Sequence, residues 1–171
     1  MHVYSGVDSF AEPEIRVREA FVDSAVAAFG FDVRLMLGAL GGEPESGTAA
    51  VLTPGIPLRL RAPHHVRFDT GVYFPIAFWS KDTWGLEIPV ALWFEHEHFF
   101  WGPLTGLFWN NPASGPYRLD GQPTETDIHL GVGAGYTLGV FDLKAQVLTT
   151  RIDAVWSKYI GGGFGVGVVV P

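Results

Sequence analysis

The stretch that decides the fold is Val66-Arg67-Phe68-Asp69-Thr70-Gly71-Val72-Tyr73-Phe74, in which apolar side chains take nearly every second position. Successive side chains of a β-strand point to opposite faces, so the stretch predicts a strand with one apolar and one polar face. The same alternation recurs at 31–35, 58–61, 84–92, 128–133, 141–147 and 164–168, with charges or glycines on the second face. This repetition predicts an all-β chain.

Turn residues divide the chain into nine candidate strands, at 14–22, 26–40, 52–62, 66–79, 84–95, 98–109, 125–138, 140–150 and 158–170. Short connections alternate with connections that are mostly longer, at 41–51, 80–83, 110–124 and 151–157. A membrane-spanning barrel has tight turns at one end and long loops at the other, and strands of about ten residues suit it. One amphipathic helix over residues 16–28 is the alternative for that segment.

The composition agrees with a barrel in lipid. The 171 residues suit a single domain spanning 1–171; 47% of them are apolar, and only 17% are charged. No charge-free apolar run reaches the roughly 18 residues that a spanning helix needs. The net charge of −7 argues against a nucleic-acid partner. The absence of cysteine removes disulfide and thiol chemistry, and no motif indicates a cofactor or an oligomeric state.

The whole chain resembles the small outer-membrane β-barrel proteins of Gram-negative bacteria, a porin-like group. The resemblance rests on Val132-Gly133-Ala134-Gly135-Tyr136 and on the glycine–valine alternation of 161–170. It implies a transmembrane antiparallel up-and-down barrel of about eight to ten strands. It also implies an outer-membrane location, with membrane lipid as the partner.

If the apolar side chains face lipid, the residues that alternate with them along each strand, which we call the other parity, line the lumen. That set carries both signs of charge, so we expect paired charges filling a narrow interior, with an open polar pore as the alternative. The predicted lumen residues are Asp32, Arg34, Arg59, Arg61, Arg67, Asp69, Glu87, His129, Asp142 and Lys144, with Arg16, Arg18 and Glu95 on the same parity.

Aromatic residues cluster near the predicted strand ends. Aromatic rings favour the boundary between lipid and water, so this clustering predicts girdles around the barrel. The long-loop girdle is predicted to contain Trp79, Trp84, Trp109, Trp156 and Tyr159; the short-turn girdle is predicted to contain Phe21, Phe94, Phe99, Phe100, Tyr136 and Phe141.

Two groups of residues suggest chemistry only weakly. The run Glu95-His96-Glu97-His98 makes His96 and His98 weak candidates for a metal site, because imidazole and carboxylate suit zinc but the spacing of a metalloenzyme is missing. His129 and Asp142 share the interior parity, but no serine accompanies them on it. We therefore expect no metal site and no enzymatic activity.

Three classes of function follow from these features. The leading one is an outer-membrane barrel with a structural role or a small porin-like channel. A soluble lipocalin-like ligand-binding barrel would need the opposite faces, with apolar residues inside. A membrane-embedded lipid hydrolase is the third.

The count of nine strands has a consequence for the N-terminus. Single-chain barrels have an even number of strands, and residues 1–13 contain only a partial strand and a loop. Residues 1–6 lack the basic start and the apolar core of a secretory signal. The sequence analysis therefore predicts that a further strand and a signal lie upstream of Met1.

Overall fold

The computed structural model describes residues 2–7, 13–39, 48–78, 83–110, 126–149 and 160–169. Every regular element in these ranges is a strand. None of the described residues belongs to a helix long and apolar enough to cross a membrane. The predicted strands 14–22 and 26–40 correspond to two observed strands, and the alternative of one helix over 16–28 is wrong.

The strands are β1 (His2–Val7), β2 (Pro13–Asp23), β3 (Ala27–Ala39), β4 (Thr48–Ala62), β5 (Val66–Tyr73), β6 (Ile76–Phe78), β7 (Thr83–His96), β8 (Phe99–Asn110), β9 (Thr126–Leu138), β10 (Phe141–Thr149) and β11 (Ile160–Val169). Consecutive strands pair antiparallel along most of the chain, which is the up-and-down order. Each predicted strand matches one of these elements, or the pair β5 and β6, to within a few residues.

The sheet closes on itself. β1 pairs with both β2 and β11, and β3 pairs with β4, which joins the two ends of the sheet. β5 and β6 both lie between β4 and β7, so they are two pieces of one interrupted strand. The eleven strands of the described residues, two of which share one place, give a ring of ten places. The predicted antiparallel barrel of eight to ten strands is therefore confirmed.

The tenth place in the ring is filled by β1. His2 is opposite Val169 on one side and Arg18 on the other, so the first and last strands meet at the same end of the barrel. Residues 1–13 were expected to contain only a partial strand and a loop, so that the strand count needed a further strand. That inference is wrong, because β1 supplies the missing partner to β2 and β11.

Tight turns lie at this same end. Residues 24–26, 63–65, 97–98 and 139–140 connect their strands in two or three residues each. His64, His65, Glu97 and Gly139 have positive φ angles there, the backbone conformation that lets a short hairpin follow the twist of its strands. The predicted short connections are thus together at one end of the barrel.

The apolar parity of the strands faces outward. Seventeen apolar side chains alternate with the polar set expected to line the lumen, and of these eleven are exposed and none is buried. The seventeen are Phe31, Val33, Leu35, Leu58, Leu60, Phe68, Val72, Phe74, Leu86, Ile88, Val90, Leu130, Val132, Leu143, Val147, Val166 and Val168. The most exposed of them, Val132, has 63% of its surface accessible. The described outer surface is therefore an apolar belt, and the polar parity is enclosed.

Candidate functional site

The interior of the barrel is the candidate site, because it gathers the charged side chains of the described strands. A soluble ligand-binding barrel would have an apolar interior and a charged exterior. The described residues show the opposite distribution of charge. Two layers of side chains can be distinguished, one around Tyr73 toward the long-loop end and one around Trp93 toward the short turns.

Asp32 is at the centre of the first layer and has no accessible surface. Arg16 Nε donates to both of its carboxylate oxygens, at 2.9 and 2.8 Å, and the Arg16 Nη2 also contacts it. Arg18 Nη2 donates to Oδ2 at 2.7 Å, and the Tyr73 hydroxyl donates to the same oxygen at 3.3 Å. A carboxylate this buried is tolerable because two guanidinium groups and a hydroxyl replace its hydration.

A second ion pair in this layer crosses the lumen. Arg34 of β3 donates to Glu87 of β7, although two strand places separate β3 from β7 in the ring. The two side chains are 16% and 19% exposed. The ion pair therefore crosses the lumen, and water reaches part of both side chains.

The ring of Tyr73 lies flat against the wall of the barrel. A Cβ atom added to Gly55 would be 2.1 Å from Tyr73 Cδ1, and one added to Gly71 would be 2.7 Å from Cε2. The Arg34 guanidinium carbon is 4.6 Å from the ring centroid on the lumen side. The two glycines therefore make room for a tyrosine that supports the charged cluster.

The second layer contains a chain of alternating charges across β4, β5 and β7. Arg59 donates to Asp69 through two hydrogen bonds of 2.7 and 3.1 Å. Arg67 Nε is 3.3 Å from Asp69 Oδ2, one of the two oxygens that Arg59 contacts, and Arg67 Nη1 donates to Glu95. Each carboxylate of this chain thus contacts at least one arginine.

The wall formed by β7, β8 and β9 is apolar, which the sequence analysis did not anticipate. Trp93, Phe100 and Leu104 pack together inside, and Trp93 meets Phe100 edge to face with ring centroids 5.3 Å apart. Added Cβ atoms at Gly133 and Gly135 would be 2.8 Å from Trp93 Cη2 and 2.2 Å from Phe100 Cζ. The inner glycines of β9 therefore accommodate these rings. A sequence signal could have revealed this packing. Aromatic residues occupy lumen-facing positions of β7 and β8, and glycines occupy the lumen-facing positions of β9.

Lys144 reaches into the same layer from β10. Its ammonium nitrogen is 4.9 Å from the Trp93 ring centroid, and the guanidinium carbon of Arg67 is 5.6 Å from that centroid. No carboxylate oxygen of the described residues is within 4.0 Å of the Lys144 ammonium. Two cations thus share one aromatic ring.

Three predicted lumen residues lie near the ends of the barrel. Arg61 donates to Asp23 at 2.8 Å and to the Ser24 carbonyl at 2.5 Å, beside a short turn. Asp142 accepts a 2.8 Å hydrogen bond from Thr137, whereas the His129 ring is near Phe108 at the other end of β9. The remaining predicted lumen residues belong to the two layers described above.

The predicted girdle residues are only partly within the described ranges. Trp84 and Trp109 lie side by side near the long-loop end, with ring centroids 5.1 Å apart. Trp79, Trp156 and Tyr159 lie outside the described residues. At the short-turn end, Phe21, Phe94, Phe99, Tyr136 and Phe141 are exposed, as is Trp101, which the sequence analysis did not include. Phe100 is buried inside instead, because the alternation of β8 turns it away from its neighbours Phe99 and Trp101.

The histidines of the two candidate runs, His64-His65 and His96 with His98, lie at the short-turn rim. His96 and His98 are both exposed, and the His98 ring is 5.9 Å from that of Tyr136. His65 accepts a backbone hydrogen bond from Glu95, so the two histidine-bearing turns are neighbours. Within the described ranges, no three His, Asp or Glu side chains are grouped closely enough to hold a metal ion.

Comparison with known proteins supports the fold and adds no family. No protein-family model matches the chain. No curated protein matches it either. Among solved structures, it is similar to the NanC porin in a rhombohedral crystal form, with a TM-score of 0.52 and 10% identity over 99% of this chain and 98% of that one. A structure from a study of the in-meso crystallization of membrane proteins has a TM-score of 0.47 and 12% identity, over 98% of this chain and 83% of that one. The first likeness shows a porin-like β-barrel fold.

Proposed function

We propose that this chain is an outer-membrane β-barrel protein of Gram-negative bacteria, held in lipid by its outer face. The observation that supports this most is the belt of exposed apolar side chains, such as Leu130 at 45% and Val132 at 63% exposure. An apolar surface of this extent in water favours association, whereas lipid imposes no cost on it. The closed ring also suits lipid, because it leaves no sheet edge with unpaired backbone groups.

Within this class, the charged interior supports a small porin-like channel, with a structural barrel as the alternative. Arg34, Glu87, Arg59 and Asp69 keep between 16% and 28% of their side-chain surface accessible, so water enters among them. Their ion pairs occupy much of the cross-section, which is expected of a barrel of about this strand number. The passage through such a lumen is narrow.

Membrane embedding is tested by refolding the protein with and without lipid vesicles and separating the products by flotation. A protein whose belt faces lipid floats with the vesicles and precipitates without lipid or detergent. Monomeric protein that stays soluble in plain buffer contradicts the proposal and favours the lipocalin-like alternative.

Channel function is tested by conductance across a planar bilayer. Arg34→Ala removes the ion pair that crosses the lumen, so we expect a higher conductance than that of the unmodified protein. Arg61→Ala is the matched control, because Arg61 pairs with Asp23 at the rim and its loss leaves the lumen unchanged. Absence of conductance in all three proteins contradicts the channel and favours the structural role.

We also propose that the barrel has no catalytic activity and needs no cofactor. Asp142 is opposite Thr137, eight residues along β9 from His129, which is roughly 26 Å at the rise of a strand. These two groups therefore cannot act on one substrate as a pair. Lipid turnover by the purified protein that is lost in His129→Ala would contradict this proposal and favour the hydrolase.

A further inference from the structure

The layer around Trp93 contains hydrogen-bond donors and positive charge without a matching acceptor. Trp93 is 2% exposed, and its indole nitrogen Nε1 has no hydrogen-bond partner within the described part of the chain. Buried donors are nearly always satisfied, because an unsatisfied one loses its hydrogen bonds to water without replacement. The indole N–H therefore indicates a group that the protein chain itself does not supply.

The charge around the indole identifies the kind of group. Lys144 places its ammonium 4.9 Å from the Trp93 ring centroid and is within electrostatic range of one carboxylate, Asp69, and of three arginines, Arg16, Arg18 and Arg67. The carboxylates of this layer, Asp69 and Glu95, pair with arginines and leave the lysine without a close counter-ion among the described residues. The Lys144 ammonium near several arginines, together with the indole N–H that lacks an acceptor, favours the binding of an anion.

The shape of the indole position agrees with this. Its benzo edge lies against β9, where an added Cβ at Gly133 would be 2.8 Å from Cη2 and 3.1 Å from Cζ3. The nitrogen is on the other side of the ring system from this contact. The contact with β9 therefore holds the benzo edge of the ring and does not involve its N–H edge.

We propose that Trp93 and Lys144 form a binding site in the barrel interior for a small monovalent anion, either a halide or the carboxylate group of a compact organic acid. The indole N–H donates one hydrogen bond to the anion, and the lysine ammonium supplies the opposing charge. The site depends on the barrel interior alone, so it is tested independently of lipid insertion and of conductance.

The test uses the six tryptophan indole signals in the ¹⁵N NMR spectrum of the full chain folded in detergent micelles. The Trp93 signal is assigned by its loss in Trp93→Phe. Sodium chloride and sodium formate are titrated separately, with ionic strength held constant by sodium sulfate. We expect saturable movement of the Trp93 signal, and the arm that saturates at the lower concentration identifies the halide or the carboxylate as the preferred anion.

Lysine variants separate a binding site from a general salt effect. Lys144→Gln should weaken the apparent affinity by about tenfold or more, because it removes one charge-assisted contact. Lys144→Arg keeps the charge and should retain saturable binding, and Lys81→Gln, in the segment between β6 and β7, is the matched control. Movement of the Trp93 signal that is linear with salt, absent, or unchanged in Lys144→Gln would overturn the proposal and leave water as the occupant.

Discussion

The packing of Trp93 on Gly133 gives a prediction whose magnitude follows from the structure. In Gly133→Ala, the new Cβ would be 2.8 Å from Trp93 Cη2 and 3.1 Å from Leu104 Cδ1, whereas ordinary contacts begin at 3.4 Å. The indole would have to move by about 0.6 Å, the difference between 3.4 and 2.8 Å. It is 2% exposed and also packs against Phe100, so little free space is available.

Overpacking of this kind costs about 1–3 kcal/mol. The loss of glycine's extra freedom in the unfolded chain offsets about 0.4–1 kcal/mol of that cost. We therefore expect Gly133→Ala to lower the free energy of unfolding by about 1–2 kcal/mol. In a Trp93→Phe background the indole atoms Cη2 and Cζ3 that crowd position 133 are absent. Gly133→Ala should there be neutral or slightly stabilising.

The measurement is a double-mutant cycle by urea unfolding of the protein in lipid vesicles. The expected coupling energy between positions 93 and 133 is about 2 kcal/mol. Gly106→Ala is the matched control, because its added Cβ would meet backbone atoms at 3.2 Å and no side chain closer than 3.7 Å. Its cost should not depend on residue 93. A 93–133 coupling below about 0.5 kcal/mol, the limit of simple additivity, would refute the packing argument.

Three further outcomes can be measured by the same unfolding titration. Leu130 is opposite Thr105, near the middle of β8, and Thr105 is opposite Val90 on its other side, so these residues lie at mid-height on the barrel. Leu130→Arg should therefore lower the free energy of unfolding in lipid by about 2–4 kcal/mol. Leu138→Arg, beside a short turn, should cost about 1 kcal/mol or less, and equal costs at the two positions would contradict the assigned belt. Asp32→Asn leaves two arginines without their carboxylate and should cost about 3 kcal/mol, a value that an unchanged unfolding midpoint would disprove. Gly30→Ala places a Cβ 1.9 Å from the Glu19 carbonyl oxygen, so we expect failure to fold, and a stable barrel would show that the β2–β3 bulge can relax.

The sequence was sufficient to predict the strands and their two faces. Alternation has a period of two and is local, so it marks each strand and each side chain's face without any knowledge of the partner strand. This is why Val66–Tyr73 and the glycine-rich β9 and β11 were predicted within a few residues. Turn composition likewise predicted which barrel end has the tight hairpins.

The tertiary structure alone decided ring closure and the contacts inside. β1 has six residues and weak alternation, and its role follows only from its pairing with β11 at the far end of the chain. The Arg34–Glu87 pair joins strands that are not neighbours, so no local pattern specifies it. The placement of Trp93 over Gly133 and beside Lys144 has the same cause. A face is set by parity along one strand, whereas a contact across the lumen depends on the register and curvature of all the strands between its partners.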